Sequence, residues 1–155
     1  MEATQGAQQR SSGDPRRATR WFAGAGIIYA GMLAATWAPQ RGRGGINLVP
    51  FVSHIRGIVA WVQGKGSPSL FVDFVVNVLL FMPLTVVLAR GFHLARGLGA
   101  FARPTIVLGC LGSLVIEVGQ LFRPSRTTDI TDFLLNSLGV ILVVRLFARW
   151  GRAHR

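Results

Sequence analysis

Charge is absent from this chain over stretches as long as a bilayer is thick. From Trp21 to Gln40 no residue is charged, and about 20 helical residues at 1.5 Å each cover the roughly 30 Å of a hydrocarbon core. Leu70 to Ala89 holds one charge, Asp73, and Pro104 to Phe122 holds one, Glu117. A last run from Ile130 to Trp150 is charge-free only over 133–144, and its Arg145 and Arg149 can snorkel to the near interface. These runs predict an all-α polytopic membrane protein, a bundle of about four transmembrane helices with spans near 21–40, 70–89, 104–122 and 130–149. Residues 21–150 then form one transmembrane domain behind a disordered basic tail over 1–20, which has almost nothing apolar to bury. Pro83 should kink the second span.

Basic residues follow the same partition. The net charge of +11 invites a nucleic-acid reading. The 17 Lys and Arg, however, fall in clumps between apolar runs rather than on one solvated face, so no nucleic-acid partner is expected. Arg16, Arg17 and Arg20 before the first run resemble the start of a signal peptide. The run is too long for that, and Pro39 is a poor cleavage context, so an uncleaved first span is expected. The N-terminal tail, the 90–103 loop and the C-terminal end together carry more basic residues than the other two connections. Both termini are therefore expected in the cytoplasm, in the plasma (inner) membrane. Cys110, the single cysteine, lies in an apolar run and reads as a packing residue.

Between the first two spans lies a mixed segment, 41–66. Phe51, Ile55, Ile58, Val59 and Val62 recur there at helical spacing, with His54, Arg56 and Gln63 largely off the stripe. This predicts an interfacial amphipathic helix, too short to span, and a His54 held at the interface.

The chain has six acidic residues. Glu2 and Asp14 precede the first run, and the other four are Asp73, Glu117, Asp129 and Asp132. The span order puts those four at a similar outer depth although they are distant in sequence. Asn77 follows Asp73 at i+4, Gln120 follows Glu117 at i+3, and Asn136 follows Asp132 at i+4. Exposing a carboxylate to lipid costs several kcal/mol, roughly, so these polar stripes should face one another. Arg123 and Arg126 are the expected partners of the acids. Each residue also has a plainer reading. Asp129 and Asp132 suit a helix start, Asp73 a span boundary, and Asn77 and Asn136 interhelical hydrogen bonding. Glu117, flanked by Leu114, Val115, Ile116 and Val118, is the hardest to assign to packing.

Four blocks in order resemble the VanZ-like family of small membrane proteins. They are Asn47-Leu-Val-Pro50-Phe51, then Asn77-Val-Leu-Leu-Phe81-Met-Pro83-Leu84, then Glu117-Val-Gly-Gln120, then Arg126-Thr-Thr-Asp129-Ile-Thr-Asp132-Phe-Leu-Leu-Asn136-Ser-Leu-Gly139. The resemblance covers about 46–145. Thr85 stands where family members often have Gly. The family's namesake is associated with low-level teicoplanin resistance, so the resemblance implies a cell-envelope setting and no defined reaction.

Three functions fit these residues. In the first, the outward polar cluster binds or modifies a lipid-linked or cell-wall component. Glu117, Asp129 and Asp132 are then the candidate catalytic carboxylates, able to act as acid and base or to hold a hard cation. Asn47, Asp73, Asn77, Gln120, Arg126 and Asn136 would bind, with Arg126 meeting an anionic headgroup. In the second, the acids form an ion or proton site of a transporter, against which the inner halves of the spans lack polar residues. In the third, the cluster only holds helices together or docks a partner subunit. No HExxH, Walker, GxSxG or Cys-His metal spacing occurs, so the sequence does not decide whether the protein is an enzyme, and no cofactor and no motif-defined metal site is expected. Membrane lipids are the expected partners.

Overall fold

A computed structural model describes residues 14–38, 45–123 and 128–153. Helix α1 spans Pro15–Trp37, α2 Val52–Val62, α3 Ser69–Leu80, α4 Met82–Arg96, α5 Ala102–Leu121 and α6 Ile130–Ala153. Two short strands, β1 (Ile46–Asn47) and β2 (Thr128–Asp129), pair in parallel with Ile46 opposite Thr128 and Asn47 opposite Asp129.

Local chemistry moves several boundaries from their expected places. Helix α1 begins at Pro15 rather than Trp21, so residues 15–20 are helical and not part of a tail. Asp14 caps it by accepting the Arg17 amide at 3.1 Å, and Pro15 sits where no amide donor is needed. At the other end Ala38 turns extended (ψ 139°), as a residue preceding proline does. The second span, where Pro83 was expected to act, is interrupted at Phe81, two residues before that proline, and runs on as α4. Proline cannot donate to the Leu79 carbonyl and its ring crowds it, so α3 ends and α4 restarts with Pro83 in its first turn. Arg90 and Arg96 lie on α4 rather than in a loop, and the connection to α5 shrinks to Gly97–Phe101, with Gly97 at φ 78°.

Among the described residues, three helical stretches are long and apolar enough to cross a membrane: Ser69–Arg96, Ala102–Leu121 and Ile130–Ala153. Helix α1 has the length, at 23 residues, but is not among the three. Helix α2 is apolar and short.

Helix α6 is central and packs on α5, α3 and α4, while α1 lies against α4 and α5. The main core gathers Phe81, Leu84, Leu88, Ile116 and Val140 with Ala25 and Met32 of α1. Small residues bring the helices close. A Cβ at Gly139 would collide with the Val78 carbonyl of α3, and one at Gly119 would enter the Trp37 ring. Tyr29 donates its hydroxyl to the Gly112 carbonyl at 2.8 Å and Trp37 its indole N–H to Ile116 at 3.3 Å, which sets the register of α1 on α5. Outward, large apolar side chains stay uncovered along the helices, such as Ile27, Val107, Leu111 and Leu146. A surface of that kind on every side belongs in lipid.

The two ends of the bundle differ in charge. Phe22 meets Phe92 at 4.9 Å, Phe101 meets Phe147 at 5.1 Å, and Ala89, Phe101 and Val144 pack together. The start of α1, the ends of α4 and α6 and the start of α5 therefore share one end. Every described arginine except Arg56 and Arg123 lies toward it. Asp73, Glu117, Asp129 and Asp132 lie toward the other.

Candidate functional site

The acidic end is assembled around the first turn of α6. The two-residue β1–β2 ladder lays Asn47 beside Asp129, and Asn47 Nδ2 donates to Asp129 Oδ2 at 2.8 Å. The other oxygen of Asp129 accepts the Thr131 amide at 2.8 Å and so caps α6. Asp129 thus does what a plain helix start requires and also anchors a distant strand. Its own amide donates to Glu117 Oε2 at 3.3 Å, which brings the end of α5 under the same turn.

From the opposite side comes α2. Phe51 enters that helix in a left-handed conformation, φ 62°, uncommon for a bulky side chain. Its amide is held by Thr131 Oγ1 at 3.0 Å. This turn swings the start of α2 over α6 and buries His54, which is 5% exposed, with Ser53 Oγ 3.4 Å from its Nδ1. Helix α3 supplies the last wall. Asn77 Nδ2 donates to Asp132 Oδ1, and Asp73, one turn earlier, is exposed.

These side chains enclose a cleft of about 520 Å³. Asn47, Asp73, Asn77, Asp129 and Asp132 line it together with Ser53, His54, Leu70 and Val76. Five of the residues singled out in the sequence thus share one cavity. Three do not line it. Glu117 and Gln120 are buried behind the Asp129 turn. Asn136 lies a turn deeper on α6, 2% exposed, where its Nδ2 donates to Ser113 Oγ of α5 at 3.1 Å. Its Oδ1 and the neighbouring Ser137 hydroxyl have no partner among the described residues. Arg126, expected to meet a headgroup, lies outside the described residues. Arg123 forms no ion pair with the acids, and the one salt bridge among the described residues is Arg17–Asp14 at 3.1 Å.

Sequence reasoning left His54 at the interface and passed over Ser53, Thr131 and Thr128. A signal for His54 was present, since it stands off the apolar stripe of α2 and directly follows the Asn47–Phe51 block. Thr131 left no mark in composition, because an acceptor for one distant amide has no sequence signature. Among the described residues, no group of three or more His, Cys, Asp or Glu is arranged to hold a metal ion. The cleft instead offers carboxylate oxygens, amides and an imidazole. Such groups hydrogen-bond hydroxyls, amides and amines and can exchange protons with them.

Apolar helices of membrane-crossing length, lipid-facing apolar flanks and a polar cleft at one end define a helical integral membrane protein. Residues 22–151 match the VanZ/LLP1 family model, and the chain belongs to that family. No curated protein and no solved structure gives a significant match to the chain.

Proposed function

We propose that this protein is a multi-pass component of the plasma membrane that binds the polar part of a lipid-linked or cell-wall component in the acidic cleft. In this reading α1 is a fourth crossing helix and both termini are cytoplasmic. Helix α2 lies in the outer interface, its Val52, Ile55, Val59 and Val62 reaching into the headgroup region while His54 faces the cleft. The positive-inside bias of the arginine-rich end supports that orientation. One observation carries the proposal: carboxylates from two distant parts of the chain, Asp73 of α3 and the Asp129 and Asp132 that open α6, converge on one open cavity instead of being buried singly.

Within the cleft, Asp132 and Asp129 are the candidate groups for accepting a proton or a hydrogen bond from the ligand. Glu117 acts behind them, its Oε2 holding the Asp129 amide. Teicoplanin tolerance, through occupancy of a wall precursor, is the cellular effect this reading predicts. Transport of ions is disfavoured. The inner halves hold two buried hydroxyls, Thr85 and Thr105, which the sequence reading had not counted. Each is spent on the carbonyl four residues earlier in its own helix, at 2.7 Å.

A purely structural role has one observation in its favour: Asn47 and Asn77 each donate to an α6 carboxylate and so tie β1 and α3 to it. Asp73 separates the readings, since it lines the cleft and no described side chain bonds to it. With purified protein and a fluorescent lipid-linked wall precursor, Asp73→Asn is expected to weaken binding about ten-fold, the worth of one hydrogen bond to a charged group. Its thermal stability should stay at wild-type level. Unchanged binding in that variant favours the structural role.

A further inference from the structure

At the basic end, α4 and α6 leave between them a groove of about 260 Å³, lined by Val86, Val143, Leu146, Phe147 and Trp150. It shares no residue with the acidic cleft. The lining is apolar throughout. Leu146 and Trp150 are 61% and 60% exposed, so the groove opens sideways toward lipid rather than into the bundle. A tryptophan at the rim is what a membrane–water boundary selects.

Helical spacing puts cations about one turn beyond its lining. Arg90 follows Val86 by one turn on the same face of α4, and Arg149 follows Leu146 by three residues on α6. Arg145 lies at the same level, because Val144 packs against Ala89 and Phe101. Among the described residues no unpaired carboxylate at this end offsets this charge. The one acid described at this end, Asp14, is already bonded to Arg17. Guanidinium groups beside hydrocarbon need a counter-charge, and guanidinium matches phosphate geometry well.

We propose that this groove binds an anionic phospholipid, with an acyl chain along Val86, Val143 and Leu146 and the phosphate held by Arg90 and Arg149. Net negative charge is the selected property. A zwitterionic lipid brings its own ammonium and gains less from the arginines. The inference does not rest on any reading of the cleft, and it holds for either orientation of the protein.

The test is thermal unfolding of the full chain in detergent, titrated separately with dioleoyl phosphatidylglycerol and dioleoyl phosphatidylcholine. Phosphatidylglycerol should raise the Tm at lower concentration. Arg90→Gln and Arg149→Gln should each cut that preference about five-fold, the worth of one cation near an anionic lipid surface. Arg90→Lys should keep most of it, and Arg16→Gln/Arg17→Gln, away from the groove, should keep it all. Val86→Trp, which fills the groove, should weaken both lipids alike. Equal stabilisation by the two lipids overturns the proposal. So does a loss in Arg16→Gln/Arg17→Gln matching that in Arg90→Gln, which would mean diffuse charge, or indifference to Val86→Trp. Stabilisation that depends on protein concentration instead of lipid would assign the groove to a second copy of the chain and overturn it too.

Discussion

Asp129 shows how much a single carboxylate is asked to do here. It accepts from Asn47, caps α6 through Thr131, and hands its amide to Glu117. Hydrogen bonds to a charged group are worth about 1.5–3 kcal/mol each, so Asn47→Ala should lower unfolding stability by about that amount. Thermal unfolding in detergent measures it. The Asn77–Asp132 pair is closer to the membrane interior, where interhelical hydrogen bonds average about 0.6 kcal/mol and reach about 1.7. A double-mutant cycle on Asn77→Ala and Asp132→Ala should return a coupling in that range. A coupling near zero would mean that water serves both groups as well as they serve each other.

At the scale of elements, close backbone approach and one strained turn decide the arrangement. Helix α6 can lie against α3 only because residue 139 has no side chain. Gly139→Ala should therefore destabilise the bundle by about 1–3 kcal/mol, the usual cost of overpacking. Gly26 meets nothing within 4 Å, so Gly26→Ala should be neutral or gain up to about 1 kcal/mol from helix propensity. Helix α2 rests on α3 and on the Phe51–Thr131 bond. Removing that acceptor in Thr131→Val should speed hydrogen exchange across 45–62 while α5 and α6 stay protected. Protection lost uniformly over all helices would show that α2 is not a separately held unit.

For the whole molecule the consequence is polarity along one axis: arginines at one end, scarce carboxylates at the other, and lipid-facing side chains between. In a Cys110→Ala background, Ser53→Cys at the cleft should react with a membrane-impermeant maleimide added to intact cells. Arg149→Cys should react only after permeabilisation. The reverse pattern would invert the proposed orientation and put the cleft in the cytoplasm.

Much of this was legible in the chain itself. Long apolar runs can satisfy their backbone in lipid only as helices, so the all-helical membrane class follows from run length and charge scarcity alone. The spacing of Asp73, Glu117, Asp129 and Asp132 along such runs also forces them toward one end. Which of them meet in a cavity was beyond the sequence. That depends on β1 pairing with β2 and on the left-handed Phe51 turn that turns His54 inward. Each is a contact between segments far apart in the chain, or a backbone state chosen by such a contact, and local composition does not encode it. Glu117 illustrates the division: hydropathy alone marked it as unusual, while only packing put it behind the cleft instead of in it.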